Sequence, residues 1–142
     1  MIKIYFCGSI RGGRQMASVY SKIIEILLEL GDVLTEHLGD DGLIASRDRI
    51  LSDREIHDRD MHWIFAADVV VADVTVPSLG VGYEIGRAVE MGKPLLCLFN
   101  PGSGYTLSAM IAGIKETEIC HYNEPDELRE TLQRFISQYT RS

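Results

Sequence analysis

Short apolar runs alternate with longer stretches of helical periodicity along this chain, and that alternation points to a parallel sheet covered by helices on both faces. Ile2–Cys7 is apolar apart from Lys3, Asp68–Ala72 reads Asp-Val-Val-Val-Ala, and Leu95–Phe99 has no polar residue. Asp32–Thr35 and Glu118–His121 are shorter runs of the same kind. Between the first two runs, Met16, Val19, Tyr20, Ile23, Ile24, Leu27 and Leu28 recur at helical spacing within Gln15–Leu30, and Gly31 is the stop signal. Ser52 or Asp53 caps a helix to about Ala67, Gly80–Met91 is a helix closed by Gly92, and Pro125–Tyr139 is a terminal helix. Leu107–Ile114 is a small-residue helical segment, and Leu38–Leu51, with Gly39, Asp40, Asp41 and Gly42, reads as a mobile excursion. The pattern predicts an α/β three-layer sandwich around a five-stranded parallel sheet, flavodoxin-like or Rossmann-like, with strand order 2-1-3-4-5. A chain of 142 residues suits a single domain, 1–142, with one sizeable core.

In such a sheet, ligands bind at the carboxyl ends of the strands, so the loops that follow each strand are where chemistry is sought. The first strand runs into Gly8-Ser9-Ile10-Arg11-Gly12-Gly13-Arg14. Glycines admit an anion to the backbone, amides at a helix start donate to it, and Ser9 and Arg11 add side-chain donors. The spacing is neither the dinucleotide Gly-x-Gly-x-x-Gly nor a P-loop, so it reads as a phosphate cradle or as a flexible strand–helix turn. The second strand ends at Glu36-His37, and the third is followed by Asp73, Thr75, Ser78 and Glu84, flanked by Gly80, Gly82 and Gly86. In the first turn of a helix Glu84 is expected to stay ionised, as a nucleophile must, or simply to stabilise its own helix. The small neighbours favour a ligand, because glycine is costly in a helix that needs only stability. After the fourth strand come Ser103, Ser108 and Ala109. Asp60, with Asp58 as competitor, lies on the preceding helix, where a solvated helix face is the default reading for both; if Asp60 instead points toward Glu84, the two form an acid pair in which burial and repulsion raise one pKa. One carboxyl then donates while the other attacks, the equipment of glycosidic cleavage through a covalent intermediate.

A formal net charge of −7 argues against non-specific nucleic-acid binding, and no apolar run reaches membrane-spanning length. Three widely spaced cysteines without a CxxC fit buried thiols in a reducing cytoplasm, and the four histidines lack metal spacing, so neither metal nor cofactor is expected.

Segments 5–14 (YFCGSIRGGR), 33–37 (VLTEH), 77–88 (PSLGVGYEIGRA), 96–99 (LCLF) and 107–111 (LSAMI), with Ile56, His57, Asp60 and Trp63, closely resemble the 2′-deoxynucleoside 5′-phosphate N-hydrolases. These are a branch of the nucleoside 2-deoxyribosyltransferase superfamily. The resemblance runs from the first strand to the fourth helix and is weak in Leu38–Leu51 and the last helix. It implies a homodimeric hydrolase that cuts deoxynucleoside monophosphates into a free base and 2-deoxyribose 5-phosphate. By position it makes Glu84 the nucleophile, Asp60 the acid/base group and Tyr5 the residue that positions Glu84. It puts the phosphate at Ser9, Arg11 and the neighbouring loop, Cys7, Gly8, Ile10, Gly12 and Gly13, together with Ser78 and Gly80. It assigns Tyr20 and His37 to the base or sugar pocket, and has Ser108, beside Ala109 and Met110, reach the phosphate in the partner subunit. The competing readings are a deoxyribosyltransferase acting on unphosphorylated nucleosides, a ribonucleotide hydrolase of the kind that cleaves CMP, and a nucleotide-binding module without catalysis.

Overall fold

The computed structural model describes residues 1–9, 13–35 and 50–140, with 13–15 described by backbone alone. Five parallel strands, β1 (Lys3–Cys7), β2 (Asp32–Val33), β3 (Val69–Asp73), β4 (Leu95–Phe99) and β5 (Thr117–His121), form one sheet in the order β2-β1-β3-β4-β5. That is the predicted order. Among the described residues the helices are α1 (Gly13–Leu28), α2 (Asp53–Ala66), α3 (Leu79–Glu90), the single turn α4 (Ala109–Ala112) and α5 (Arg129–Ser137). The predicted small-residue helix thus shrinks to one turn, and Pro125–Leu128 is a 3₁₀ turn leading into α5. The predicted excursion at Leu38–Leu51 lies outside the described residues except at Ile50 and Leu51.

Register places Ile4 opposite Val69 and Phe6 opposite Val71, and Val71 in turn opposite Leu96. Because strand side chains alternate, β1 feeds two cores. Ile4 and Phe6 pack with Tyr20, Ile23 and Leu27 of α1 and Leu132 and Phe135 of α5. Tyr5 and Cys7 pack on the other face, with Ile64 of α2 and Val81, Ile85 and Ala88 of α3. The helix on the way from β1 to β2 and those leading through β3 to β4 lie on opposite faces, because right-handed crossovers in opposite directions from β1 put them there. Everything on α2 and α3 therefore shares a side with Tyr5.

Local signals start and stop the helices over the site. Ser52 and Glu55 form a reciprocal capping box on α2, Glu55 N donating to Ser52 Oγ and Ser52 N to Glu55 Oε1, both at 3.1 Å. Ser78 caps α3 by accepting from Val81 N at 3.2 Å. Gly92, at φ 72°, ends the turn after α3 in the left-handed region that glycine enters without strain. No described helix is long and apolar enough to cross a membrane.

Candidate active site

The side chain that organises the site is Tyr5. It is about 1% exposed in the middle of β1, and its hydroxyl donates a short hydrogen bond to Glu84 Oε2 on α3. Burial and the neighbouring Glu84 push the phenol far above its ordinary range, so it acts as a donor and never as a base. Glu84 lines a recess of about 210 Å³ with Asp60, Met61, Ile56 and His57 of α2 and Gly80 and Tyr83 of α3. The expected acid pair is thus brought to one cavity: Asp60 is on its wall and Asp58 is not, while Asp53, at the start of α2, lines it as well.

The expectation that a helix N-terminus would keep Glu84 ionised does not hold. With Ser78 as the cap and Leu79 as the first residue, Glu84 lies beyond the first turn, where the free amides end. Burial dominates instead and raises its pKa to about 7; the Tyr5 hydrogen bond pulls it down, Asp60 pushes it up and Arg59 pulls it down. Burial, with repulsion from Asp60, thus raises the glutamate. Cys7, on the same face, is held as an inert thiol because burial pushes its pKa well up.

Two groups at this site were not singled out from the sequence. Arg59 Nε donates to Asp60 Oδ1 at 3.0 Å while its guanidinium lies 4.9 Å from the Trp63 ring centroid. The i,i+4 spacing of Arg59 and Trp63 is the signal that could have revealed it. At the mouth, His57 Nε2 and the Tyr83 hydroxyl share a hydrogen bond of 2.7 Å, and Arg87 Nη1 donates to the same hydroxyl at 2.7 Å. That contact clasps α2 to α3 beside the acid pair.

The other candidates divide. Gly8 and Ser9 follow β1 at the carboxyl edge, Ser9 being buried, and Gly13 opens α1; Ile10, Arg11, Gly12 and His37 lie outside the described residues. Tyr20 is not on the Glu84 side: it packs against Phe6 on the α1 face, beneath Gly8. Ser78 and Ser108 both accept a cap hydrogen bond, Ser108 from Met110 N at 3.2 Å, which leaves each hydroxyl proton to donate elsewhere. Ser108 and Met110 line a second hollow with Ser78, Leu79, Gly82 and Gly86, about 850 Å³ in volume and away from Glu84; Ala109 is exposed beside it. Gly82 and Gly86 therefore do not clear space around Glu84. A methyl group at either would meet nothing within 4 Å.

Residues 4–126 match the nucleoside 2-deoxyribosyltransferase family. The chain belongs to that family. Within it, the Danio rerio 5-hydroxymethyl-dUMP N-hydrolase is 48% identical over 144 residues, covering 99% of this chain and 100% of that protein. The Mus musculus 5-hydroxymethyl-dUMP N-hydrolase is 50% identical over 140 residues, 96% of this chain and 80% of that one. Among solved structures, the Clostridium botulinum CMP N-glycosidase superposes with a TM-score of 0.69 over 93% of this chain and 98% of that one; at 23% identity the likeness is one of fold.

Proposed function

We propose that the protein hydrolyses the N-glycosidic bond of 2′-deoxynucleoside 5′-monophosphates, with Glu84 as nucleophile and Asp60 as acid and base. The observation that carries this reading is the Tyr5–Glu84 hydrogen bond on the wall of a recess shared with Asp60. A carboxylate whose ionisation is opposed by burial weakens a fold, so its presence in a cleft beside a second carboxylate argues for reaction chemistry. The two relatives are named for 5-hydroxymethyl-dUMP, which makes that nucleotide the first substrate to try.

Ionised Glu84 attacks C1′ of the sugar as the bond from C1′ to the base nitrogen breaks. Asp60 gives its proton to the departing base, and the sugar is left esterified to Glu84. Water then attacks C1′, its proton passing to Asp60; the bond to Glu84 breaks and 2-deoxyribose 5-phosphate leaves. A sugar without a 2′-hydroxyl lacks the electron-withdrawing group that opposes an oxocarbenium-like transition state. Tyr5 holds the carboxylate in line. The 5′-phosphate is taken by Ser9, Arg11 and the adjacent amides, with Ser78 and Gly80.

Chromatography for free base after incubation with 5-hydroxymethyl-dUMP, dGMP, deoxyguanosine, GMP and CMP tests the reading. Base released from the deoxynucleotides is the expected result. Release from deoxyguanosine but not from dGMP overturns the phosphate assignment, and release from CMP or GMP alone makes it a ribonucleotide enzyme. With a nucleophile titrating at about 7, kcat/KM falls roughly tenfold per pH unit below neutrality. Tyr5→Phe removes the donor that favours the carboxylate, so that acidic limb moves to higher pH and the loss at pH 6 exceeds the loss at pH 8.

The wider hollow is best filled by a second copy of the chain. Leu79 is 97% exposed and Met110 82% exposed beside it, and Gly82 and Gly86 offer a bare helix face for close approach. A homodimer would cover this surface and bring Ser108 to its partner's phosphate. A Cβ at Gly86 meets nothing within 4 Å, and glycine is a poor helix former, so Gly86→Leu is expected to keep the fold of the single chain. It is expected to sediment as a monomer and to lose at least about tenfold in cleavage. A dimer of undiminished activity overturns the assignment. The three free cysteines suit a reducing cytoplasm as the place of action.

A further inference from the structure

The reaction as proposed gives no part to Arg59, which is off the wall of the recess yet bonded to a residue on it. Its Nε donates to Asp60 Oδ1 at 3.0 Å, and its guanidinium carbon lies 4.9 Å from the centroid of the Trp63 ring. Adjacent residues on a helix point about 100° apart and do not ordinarily meet, so this pair is no by-product of helix geometry. The arginine has to fold back, and Trp63, one turn on, is the surface that holds it there. The two charged side chains are 22% and 23% exposed, which sets them apart from the solvated surface pairs that contribute next to nothing. The neighbourhood is negative, since Asp53, Asp60 and Glu84 all line the recess. Arg59 is also among the groups that favour the charged form of Glu84. One guanidinium thus acts on both members of the acid pair from outside the recess they line.

A carboxyl that gives a proton to a base and then takes one from water works best when it is held in a single orientation. An oxygen that accepts from a guanidinium N–H faces a positive donor and is the poorer place for a proton. We propose that Arg59 is a positioning residue for Asp60: braced on Trp63, it engages Oδ1 and so turns Oδ2 toward the scissile bond as the oxygen that carries the proton. In the first half-reaction the Oδ2–H bond breaks as the base takes the proton. In the second, Oδ2 takes a proton from the water that attacks C1′. Arg59 keeps its own protons throughout. This role rests on the reading above in taking Asp60 as the group that serves the leaving base.

Arg59→Met keeps an unbranched stem against Trp63 and removes the N–H donor. Assays at pH 8, above the titration of Glu84 at about 7, keep the arginine's effect on that carboxyl small. For dUMP, kcat is expected to fall roughly tenfold while KM stays within about twofold. The loss on 5-fluoro-dUMP, whose base leaves more readily as an anion, is only about twofold. In an Asp60→Asn background the same substitution costs less than about twofold on either substrate. Arg59→Lys keeps the charge but not the flat fork that stacks and donates at once, so it shows the same substrate-dependent loss. It also carries the comparison if Arg59→Met does not fold. Equal losses on the two substrates overturn the proposal, as does a rise in KM in place of the fall in kcat. So does the full loss persisting in the Asp60→Asn background, or undiminished activity in Arg59→Lys. Asp60→Asn by itself separates this role from the reaction. If it shows no dependence on the leaving base, the reading of Asp60 fails and the role of Arg59 falls with it. A dependence present in Asp60→Asn and missing from the Arg59 variants overturns the role of Arg59 alone.

Discussion

Glu84→Ala lowers kcat for deoxynucleotide cleavage by at least about 10³-fold, because Glu84 is the carboxylate in the recess that the Tyr5 hydroxyl positions. Single-turnover assays with trapping of the glycosyl-enzyme would show the intermediate in the wild type and none in the variant. An activity within tenfold of wild type would remove Glu84 from the reaction. Glu84→Gln adds a second readout, because it resembles the protonated side chain. The folded-state pKa of Glu84, about 7, is above its ordinary 4.5, so burial of the charged form destabilises the fold. That cost is absent below pH 4.5, grows as pH rises, and is complete above about 7. Glu84→Gln is therefore expected to be more stable than wild type by about 1–3 kcal/mol at pH 8 and indistinguishable from it at pH 4. An inactive variant that melts higher than the enzyme is the signature of a group kept for chemistry at the expense of stability.

Asp60→Asn is the second large effect. Losing the group that protonates the departing base lowers kcat by about 10²–10⁴-fold, and the loss depends on the base. It is largest for purines and unmodified uracil, which leave poorly as anions, and smallest for a uracil carrying a strongly electron-withdrawing 5-substituent. Comparing dUMP with 5-fluoro-dUMP in both proteins measures that difference. Equal losses on the two substrates would make Asp60 a binding residue. Arg59 sits on the same carboxyl, 3.0 Å away, so Arg59 and Asp60 are a coupled pair and a double variant will not be additive.

Several features of the site were legible from periodicity with more care than their neighbours suggested. Gly82 and Gly86 are each two residues from Glu84, about 200° around a helix, so they belong on the face opposite the carboxylate. They line the wider hollow accordingly. Tyr20 was separable from Glu84 once strand order was known, because right-handed crossovers place α1 on one face and α2 and α3 on the other. The ionisation of Glu84 was less accessible. A shift of one turn in where α3 starts moves the residue out of reach of the terminal amides, and Ser78 rather than Gly80 marks that start.

The amino-acid sequence alone determined the five apolar runs, their order, the glycine-rich loop after the first and the helix carrying Glu84. These depend on local periodicity and on hydrophobic patterning that only one sheet topology buries well. Tertiary structure alone decided that the Tyr5 hydroxyl meets Glu84 across 79 residues of chain and that Asp60 shares their recess. It also decided that burial outweighs the nearby donors at Glu84. Contact between distant side chains depends on strand register and on the packing of helices over the sheet, and a charge is raised or lowered by whatever that packing excludes or admits.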